Sequence, residues 1–419
     1  MLDHELRQHL LTRLREVQRN LHGDVTENDQ PHARFADMLD SMGMVEFVAL
    51  IADDCGVKPE AIEKAVGRDF GTIADLAAAL TQAGIGPGSQ ESVSAYAHTA
   101  SLSRPEAVCG WLAATAVRLP KALESAAEID RKLQRPPGWL ESHAGIRQRR
   151  IWADEDPLAA AAEAGCAALE KSGLKPAQVG ALLVVSEAPP VLLGLAAALH
   201  HRLRLPGNTV ALDIGGACTA FLAALWTAHA ILPQREIVLI ISVEAASRFL
   251  RVQPGPAGEA AALFGDAAAA LVMSRSAPAG KAVPLLEVSL AADGSQAALL
   301  QLHGASPDGV ELRMRGTELA ASAIHVMADS VEALAKRHGI EVAQLAAVIA
   351  HGGNGRMPAL LARKLGLPPE RVWSETAVTG NLGSASLPVA WAARQPPKGP
   401  IIWTAVGAGL AWGAALTSS

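Results

Sequence analysis

The sequence contains a cysteine in a setting typical of nucleophiles, in the stretch Gly215-Gly216-Ala217-Cys218-Thr219. The apolar run 209–213 before it predicts a strand, and the apolar run 219–232 after it predicts a buried helix. Glycine permits a tight turn between the two, and the dipole at a helix N-terminus favours the thiolate form of a cysteine. We therefore predict a nucleophilic Cys218, with simple filling of the core as the plainer alternative.

Two further polar side chains stand in glycine-rich stretches. His351 follows the apolar run 346–350 and precedes two glycines, and Asn381 lies in Thr379-Gly380-Asn381-Leu382-Gly383. Flanking glycines allow a ligand to approach closely. Taken singly, each residue is more often a structural hydrogen-bonding group, so spacing alone leaves both interpretations open.

A second chemical site is indicated near the N-terminus, where Asp40-Ser41-Met42-Gly43 precedes an amphipathic run. Apolar residues at 44, 47, 48 and 51 recur at helical spacing, so Ser41 is predicted at a helix N-terminus. A phosphodiester on its hydroxyl would be in a favourable electrostatic position there. On spacing alone an N-cap is the better supported alternative, because Ser and Asp are preferred caps.

Composition excludes several classes of function. The 419 residues are half hydrophobic and 19% charged, with a net charge of -6 and no long basic run, so we expect a globular protein that does not bind nucleic acid. The first residues are polar, and the most apolar window, 179–199, is broken by a glutamate and two prolines. We therefore expect no secretory signal, no membrane span and a cytoplasmic location. No two cysteines form a CxxC pair, so Cys55, Cys109 and Cys166 are predicted core residues, without disulfides or a metal site.

Three regions follow one another along the chain. Residues 1–83 are a predicted helical unit, because apolar residues recur at helical spacing in three segments. Residues 84–107 are rich in Gly, Ser, Pro and Ala and predict a flexible linker. From 108 to 419, short apolar strands alternate with Ala-rich helices, which predicts an α/β domain with two similar βα halves. The candidate strands are 181–186, 209–213, 237–242, 268–273, 346–350 and 401–406.

Residues 5–82 resemble an acyl carrier protein. The stretch Asp37-Met38-Leu39-Asp40-Ser41-Met42-Gly43 is similar to that family's Asp-Ser-Leu segment, and the helix after it to the family's recognition helix. The resemblance implies a four-helix bundle and a covalent 4'-phosphopantetheine arm on Ser41, attached by a phosphopantetheinyl transferase. It also implies that three acidic residues face basic partner enzymes: Glu46, Asp53 and Asp54.

The region from Cys109 to the C-terminus resembles a β-ketoacyl-ACP synthase III of the thiolase superfamily. Cys218, His351 and Asn381 occur in that family's order. The resemblance implies a thiolase-like α/β fold of two βα halves, layered αβαβα, and a homodimer. It is carried further by four stretches: 118–120, Trp139 with 145–150, 263–268 and 405–413.

The same resemblance implies roles for single residues. Cys218 would be the acyl-accepting nucleophile, and its backbone N–H with that of Ala408 would form the oxyanion hole. His351 and Asn381 would donate hydrogen bonds to the enolate of a malonyl thioester that loses carbon dioxide. Contacts to the thioester or the pantetheine arm are predicted for Trp139, Asn354 and Arg356.

The sequence departs from the family where coenzyme A is bound. His143 and Gly258 stand at two positions that carry arginine in many of these synthases. Because arginine binds phosphate through charge-assisted hydrogen bonds, we expect weak binding of coenzyme A or a donor carried on a protein. The loop 187–194 lacks the family's Pro-Ser pattern, so the acyl group is not predicted by analogy.

Together, the two resemblances predict a carrier–ketosynthase fusion that performs one decarboxylative Claisen condensation in polyketide or fatty-acid-like biosynthesis. Its substrates would be acyl and malonyl thioesters on a carrier protein or coenzyme A, and its carrier domain would visit other biosynthetic enzymes. Acyl transfer through Cys218 without condensation is the alternative, which release of carbon dioxide would separate from the first. A docking platform without catalysis is the third, which failure of Cys218 to react with any acyl thioester would favour.

Overall fold

The computed structural model describes residues 2–22, 35, 41–57, 61–62, 65, 71–86, 100–101, 108–190, 194–278, 282–306 and 309–418. The chain divides into two units, the first comprising Met1–Ala97 and Arg315–His325 and the second His98–Met314 and Val326–Ser419. Among the described residues, no helix is long and apolar enough to cross a membrane. Within the same ranges, no cluster of three His, Cys, Asp or Glu side chains is placed to hold a metal ion.

The first unit is helical where it is described. Its helices are α1 (Leu2–His22), α2 (Ser41–Cys55) and α3 (Ile73–Gln82). Thr72 caps α3 by accepting a hydrogen bond of 3.2 Å from the Asp75 amide. Residues 61, 62 and 65 are also helical, but within 1–97 the structure describes no further helix with its bounds, so the four-helix bundle stays a prediction. The apolar stripes of the three helices form one buried core, which includes Leu10, Leu14, Val17, Phe47, Ile51, Leu76 and Leu80.

Asp54, near the end of α2, is bound to α1. Its carboxylate accepts hydrogen bonds from Nε and Nη2 of Arg13, both at 2.6 Å, and lies 2.8 Å from Nε2 of His9. Asp54 therefore has basic partners within its own unit, and its contact with a partner enzyme stays a prediction. The side chains of Glu46 and Asp53 lie outside the described residues.

The second unit is built on β-strands. The described strands are β1 (Ala100–Ser101), β2 (Gly110–Arg118), β3 (Ala122–Ser125), β4 (Gln148–Ile151), β5 (Ala181–Val185), β6 (Val210–Ile214), β7 (Ile237–Ala245), β8 (Asp266–Ser274), β9 (Val283–Ala292), β10 (Leu300–Ser306), β11 (Gly309–Met314), β12 (Ala347–Ala350), β13 (Val372–Trp373), β14 (Pro400–Gly407) and β15 (Ala411–Ser418).

Helices connect these strands. The remaining described helices are α4 (Ala126–Leu133), α5 (Trp139–Ala144), α6 (Pro157–Ser172), α7 (Leu195–Arg202), α8 (Ala220–Arg235), α9 (Pro256–Ala261), α10 (Gly316–Arg337), α11 (Met357–Lys364), α12 (Thr376–Thr379) and α13 (Ser386–Ala392).

The main sheet repeats one topology. Its path is β13-β12-β14-β15-β9-β2-β8-β7-β5-β6, with β1 paired to β9. The first half consists of β2, β5, β6, β7 and β8, and the second half of β9, β12, β13, β14 and β15. When the strands of each half are numbered one to five along the chain, both halves have the spatial order 3-2-4-5-1 from the outer edge inward, and β2 pairs with β9 where the halves meet. In each half the second strand is parallel to the third and fourth. The segments that leave the second and third strands of one half therefore emerge at the same edge of the sheet, and their counterparts do so in the other half.

Helices cover both faces of the first half of this sheet. Alternate residues of β5 enter different clusters: Leu183 and Val185 pack with α8 and α13, and Leu182 and Val184 pack with α6 and α7. A strand that is buried on both faces requires apolar residues at every position, and β5 (Ala181–Val185) has them. Strands of the second half also contribute to the cluster around α8 and α13. The α/β architecture with a large mixed sheet is confirmed, and the full five-layer succession stays a prediction.

All six predicted strands are present, as β5, β6, β7, β8, β12 and β14, with ends within three residues of those predicted. β1 lies inside the predicted linker 84–107 and pairs with β9 through Ala100 opposite Leu290. That segment is therefore not linker throughout, and the rest of it is mostly outside the described residues.

Candidate active site

Cys218 lies on a sharp turn between β6 and α8. The backbone has positive φ at Gly216 (134°) and Ala217 (48°), and Ala217–Thr219 form a single 3-10 turn before α8 begins. A side chain at Gly216 would be strained, because L-residues rarely adopt its φ of 134° and a Cβ atom would lie 3.3 Å from the Ala220 Cα atom. The turn buries Cys218 to 5% exposure at the edge of the sheet.

The Cys218 thiol donates a hydrogen bond to a carboxylate. Its Sγ lies 3.0 Å from Oε2 of Glu187, which follows β5 by two residues. Burial, with the neighbouring carboxyls of Glu187 and Glu244, raises the pKa of Cys218 well above its ordinary value. The expected thiolate is therefore not the resting form, because burial and the carboxyls outweigh the dipole of α8. Sequence reasoning did not connect Glu187 with Cys218.

Glu244, the penultimate residue of β7, holds the loop that carries Glu187. Its carboxylate is 2% exposed and accepts hydrogen bonds from the amides of Glu187 (2.9 Å), Ala188 (2.8 Å) and Ser384 (3.0 Å). The Ser384 hydroxyl also donates to it. Burial and the nearby Glu187 raise the pKa of Glu244 to about 7.

His351 follows β12 and is 3% exposed. Its amide donates to the carbonyl of Thr404 at 2.9 Å, and its Nδ1 lies 3.2 Å from the Ser386 hydroxyl. When that hydroxyl donates to Nδ1, Nε2 carries the ring proton. Burial lowers the pKa of His351 to about 4, so the imidazole is neutral at physiological pH. A neutral ring with Nε2–H is a hydrogen-bond donor without net charge.

Asn381 is held from both sides. Its side-chain Oδ1 accepts a hydrogen bond of 2.9 Å from the Gly383 amide, which leaves the side-chain NH₂ as the donor group. Its backbone amide donates to Leu263 at 2.7 Å and its carbonyl accepts from Gly265 at 2.9 Å. A Cβ at Gly265 would lie 2.0 Å from the Thr379 carbonyl, so this close approach requires glycine.

Gly383 is the point where these groups meet. A Cβ atom there would lie 2.8 Å from Oε2 of Glu187 and 3.0 Å from Oε1 of Glu244, and φ is +50°. The 3-10 turn Gly383–Ala385 also contacts the turn that carries Cys218. The structure therefore brings Cys218, Asn381 and the two glutamates into one site.

Gly407, next to the predicted oxyanion donor Ala408, lies against the Cys218 turn. A Cβ at Gly407 would be 3.0 Å from the amide nitrogen of Cys218, so the backbone before Ala408 runs directly against the cysteine amide. Gly407 is buried and Ala408 is half-buried. Pairing of the Ala408 and Cys218 amides as the oxyanion donors stays a prediction.

The predicted pantetheine contacts lie beside the His351 loop. The Gly355 amide donates to the carbonyl of Ala144, at the end of α5, at 2.7 Å. Asn354 fixes the turn that leads into α11, because its Oδ1 accepts hydrogen bonds from the amides of Arg356 (2.9 Å) and Met357 (3.1 Å), and the Arg356 guanidinium donates to the Ser142 carbonyl at 3.3 Å. Both Asn354 and Arg356 thus have structural roles, and their contact with a substrate stays a prediction.

Trp139 begins α5 and already has partners for its ring. The His143 ring stacks on it with centroids 4.7 Å apart, and the guanidinium of Arg135 lies 5.3 Å from its centroid. At Gly258, a Cβ would lie 1.8 Å from the Gln253 carbonyl oxygen, so no side chain fits there.

The predicted attachment serine is the first residue of α2, as expected. The side chain of Ser41 and all of Asp40 lie outside the described residues. For this residue the structure gives only the position of the backbone, and attachment of a phosphopantetheine arm stays a prediction.

Comparison with known proteins identifies the family. The family described as 3-oxoacyl-[acyl-carrier-protein] synthase III matches residues 212–301, and the description of its C-terminal part matches residues 335–418. The chain is 30% identical over 310 residues to a β-ketoacyl-[acyl-carrier-protein] synthase III of Erythrobacter litoralis, covering 71% of this chain and 95% of that protein. It is 33% identical over 327 residues to a 3-oxopimeloyl-[acyl-carrier-protein] synthase of Rhodothermus marinus, covering 74% and 93%.

Solved structures agree. The crystal structure of a priming β-ketosynthase from a polyketide biosynthetic pathway superposes with a TM-score of 0.66 at 26% identity, covering 76% of this chain and 98% of that one.

Proposed function

The chain belongs to the β-ketoacyl-[acyl-carrier-protein] synthase III family of condensing acyltransferases, and we propose that it joins an acyl group held on Cys218 to a malonyl-type thioester with loss of carbon dioxide. The Cys218 sulfur attacks the acyl thioester, the thiol of the substrate departs, and the acyl group stays on Cys218 as a new thioester. The amides of Cys218 and Ala408 stabilise the oxyanion of that step.

The second step makes the carbon–carbon bond. The malonyl carboxylate leaves as carbon dioxide, and the electron pair of the broken bond forms an enolate. Nε2–H of His351 and the side-chain NH₂ of Asn381 donate hydrogen bonds to the enolate oxygen. Its carbon then attacks the acyl carbonyl, the bond to Cys218 breaks, and the released sulfur takes up a proton.

One observation carries this choice over plain acyl transfer. Oδ1 of Asn381 is bonded to the Gly383 amide, which leaves the side-chain NH₂ as the group that can donate. A pair of neutral donors suits an enolate oxygen. Acyl transfer to an alcohol or amine would instead need a general base for the proton of the acceptor, separate from the group that binds the Cys218 proton, and a histidine with a pKa of about 4 is a weak one at neutral pH.

The proposed donor is carried on a protein. The Trp139 ring already stacks on His143 and lies under the Arg135 guanidinium. Gly258 leaves no room for a side chain, so the second phosphate-binding arginine of the family has no counterpart there. These features weaken recognition of the nucleotide of coenzyme A and leave the pantetheine arm as the common substrate group.

The carrier belongs to this chain in our proposal. Residues 1–83 form an acyl carrier domain with 4'-phosphopantetheine on Ser41, residues 84–107 are mainly linker, and 108–419 are the synthase. The position of Ser41 at the start of α2 and the buried core of the three described helices support this assignment. Such a tether raises the local concentration of the carrier to roughly millimolar where geometry permits.

A homodimer is part of the proposal. β6 is the last strand of the sheet path, and within the described residues no strand pairs with its outer side. Leu212 on this strand is 39% exposed. An apolar, unpaired edge is suited to pairing with a second copy.

Two variants test the assignment of the two sites. Intact-protein mass spectrometry after incubation with an acyl thioester should show one acyl group on wild type and on Ser41→Ala, and none on Cys218→Ala. A phosphopantetheinyl transferase should add one pantetheine arm to wild type and to Cys218→Ala, and none to Ser41→Ala. Acylation that persists in Cys218→Ala would contradict the nucleophile assignment.

A further inference from the structure

The Cys218 proton has a defined acceptor in this site. Oε2 of Glu187 lies 3.0 Å from Sγ, within hydrogen-bond range for sulfur. The contact follows from the sheet, because β5 and β6 are parallel neighbours whose last residues, Val185 and Ile214, are paired. The chain leaving each strand at that edge brings Glu187 and Cys218 together.

The repeat in the fold gives Glu187 a counterpart. β5 is the second strand of the first half and β12 is the second strand of the other half. The first delivers Glu187 and the second delivers His351, while the third strands lead to Cys218 and Asn381. Each half of the fold thus contributes one titratable side chain from the same topological position, a hydrogen-bond acceptor in Glu187 and a donor in His351.

The Glu187 carboxyl is confined where it can act. The amides of Glu187 and Ala188 are tied to Glu244, which fixes the backbone of the loop. On another side the carboxyl lies against Gly383, where even a Cβ atom would come within 2.8 Å of Oε2 of Glu187. A carboxyl held between Sγ and Gly383 is preorganised for proton transfer.

We propose that Glu187 is a catalytic residue that accepts the Cys218 proton as the sulfur attacks the acyl thioester. The sulfur–hydrogen bond breaks as the new sulfur–carbon bond forms. When the tetrahedral intermediate collapses, the bond to the original thiol breaks and Glu187 returns the same proton to the departing sulfur. No proton is gained or lost, and no oxidant or further reactant is required.

The electrostatics of the site require such a base. Burial and two carboxyls hold the pKa of Cys218 well above its ordinary value, so little free thiolate exists at neutral pH. Burial also raises the pKa of Glu187, which makes its carboxylate a stronger base. The nucleophile is therefore activated during attack rather than beforehand.

This inference rests on the proposed function and assigns its two chemical steps to different residues. Glu187 serves the acylation of Cys218, and His351 with Asn381 serves the decarboxylation. Loss of Glu187 should then slow the first step and leave donation to the malonyl enolate in place.

The test compares two reactions of the same sulfur in Glu187→Gln. Single-turnover acylation by an acyl thioester, followed by intact mass, should fall about 10²- to 10⁴-fold, the range of general base catalysis. Alkylation of Cys218 by iodoacetamide at pH 7.5 draws on the equilibrium fraction of thiolate and expels iodide, which needs no proton. Its rate should therefore rise or stay level, because removal of the negative charge lowers the thiol pKa. Glu170→Gln, an exposed glutamate on α6, is the matched control and should match wild type in both reactions.

A second variant distinguishes loss of the base from a defect in folding. Glu187→Ala should be acylated slowly, and added formate should restore the rate because a small carboxylate can occupy the vacated space. Unchanged acylation in Glu187→Gln, an equal fall of acylation and alkylation, or no rescue of Glu187→Ala by formate would overturn the inference. A wild-type Cys218 that takes up no acyl group would instead remove the proposed function on which the inference stands.

Discussion

Replacing Asn381 by aspartate separates the two chemical steps most sharply. Aspartate has nearly the same shape and keeps an oxygen for the Gly383 amide, now 2.9 Å from Oδ1 of Asn381. What disappears is the NH₂ group that donates to the enolate. Loss of one preorganised donor to a developing oxyanion slows a reaction by about 10²- to 10³-fold, or about 3–4 kcal/mol of transition-state stabilisation.

The assay follows the two steps on the same sample at pH 8, where the new carboxyl is expected to be ionised. Acylation of Cys218, measured by intact mass in a single turnover, should remain within about threefold of wild type. Release of carbon dioxide from the malonyl thioester should fall by the factor given above. Asn208→Asp, at an exposed position away from the site, makes the same chemical change and should alter neither step.

The result that would refute this reasoning is an equal loss of both steps in Asn381→Asp. Such a loss would mean that Asn381 supports the architecture around Gly383 rather than the enolate. Undiminished release of carbon dioxide would refute it equally, because the amide would then not be a donor in the second step.

Three further outcomes are expected. The unfolded chain binds a proton on His351 below pH 6.5, whereas burial keeps that residue neutral in the folded chain down to its pKa of about 4. The stability that this residue contributes is therefore present above pH 6.5 and lost as the pH falls through 4, so urea titrations should show wild type losing up to about 3 kcal/mol more than His351→Gln between pH 7 and pH 4. Gly383→Ala places a methyl group 2.8 Å from Oε2 of Glu187 at a φ of +50°; unfolding should show a cost of about 1–3 kcal/mol, and single-turnover acylation should slow more than tenfold. His143→Arg should lower KM for an acyl-coenzyme A donor about tenfold and leave a carrier-borne donor unchanged; an equal change for both donors would contradict the proposed recognition.

The sequence was sufficient for several of the strands whose residues are β-branched or otherwise strongly apolar, although not for β9. β5, β7 and β14 were found because their runs of Val, Ile and Leu have no other plausible location than a buried sheet. β2 and β15 were missed, since Gly110–Arg118 and Ala411–Ser418 are rich in small residues, which do not favour strands by themselves. Burial and pairing with β8, β9 and β14 make them strands, and both are tertiary effects.

The same distinction holds in the site. Cys218, His351 and Asn381 are marked by local motifs, and the elbow around Cys218 is set by local backbone geometry. The state of the thiol is not local, because Glu187 reaches it through the pairing of β5 with β6, 31 residues away in sequence. An argument from the helix dipole alone therefore predicted a thiolate where the folded protein keeps a thiol.

The most direct test of the whole account is one intact-mass experiment on the full chain. A phosphopantetheinyl transferase first loads malonyl-pantetheine onto Ser41, and an acyl thioester is then added. If condensation occurs, the Ser41 arm should gain the mass of the acyl group less that of carbon dioxide, with Cys218 acylated transiently. A stably acylated Cys218, with malonyl unreacted on Ser41 and no carbon dioxide released even when a separate malonyl carrier is supplied, would contradict condensation and establish acyl transfer instead.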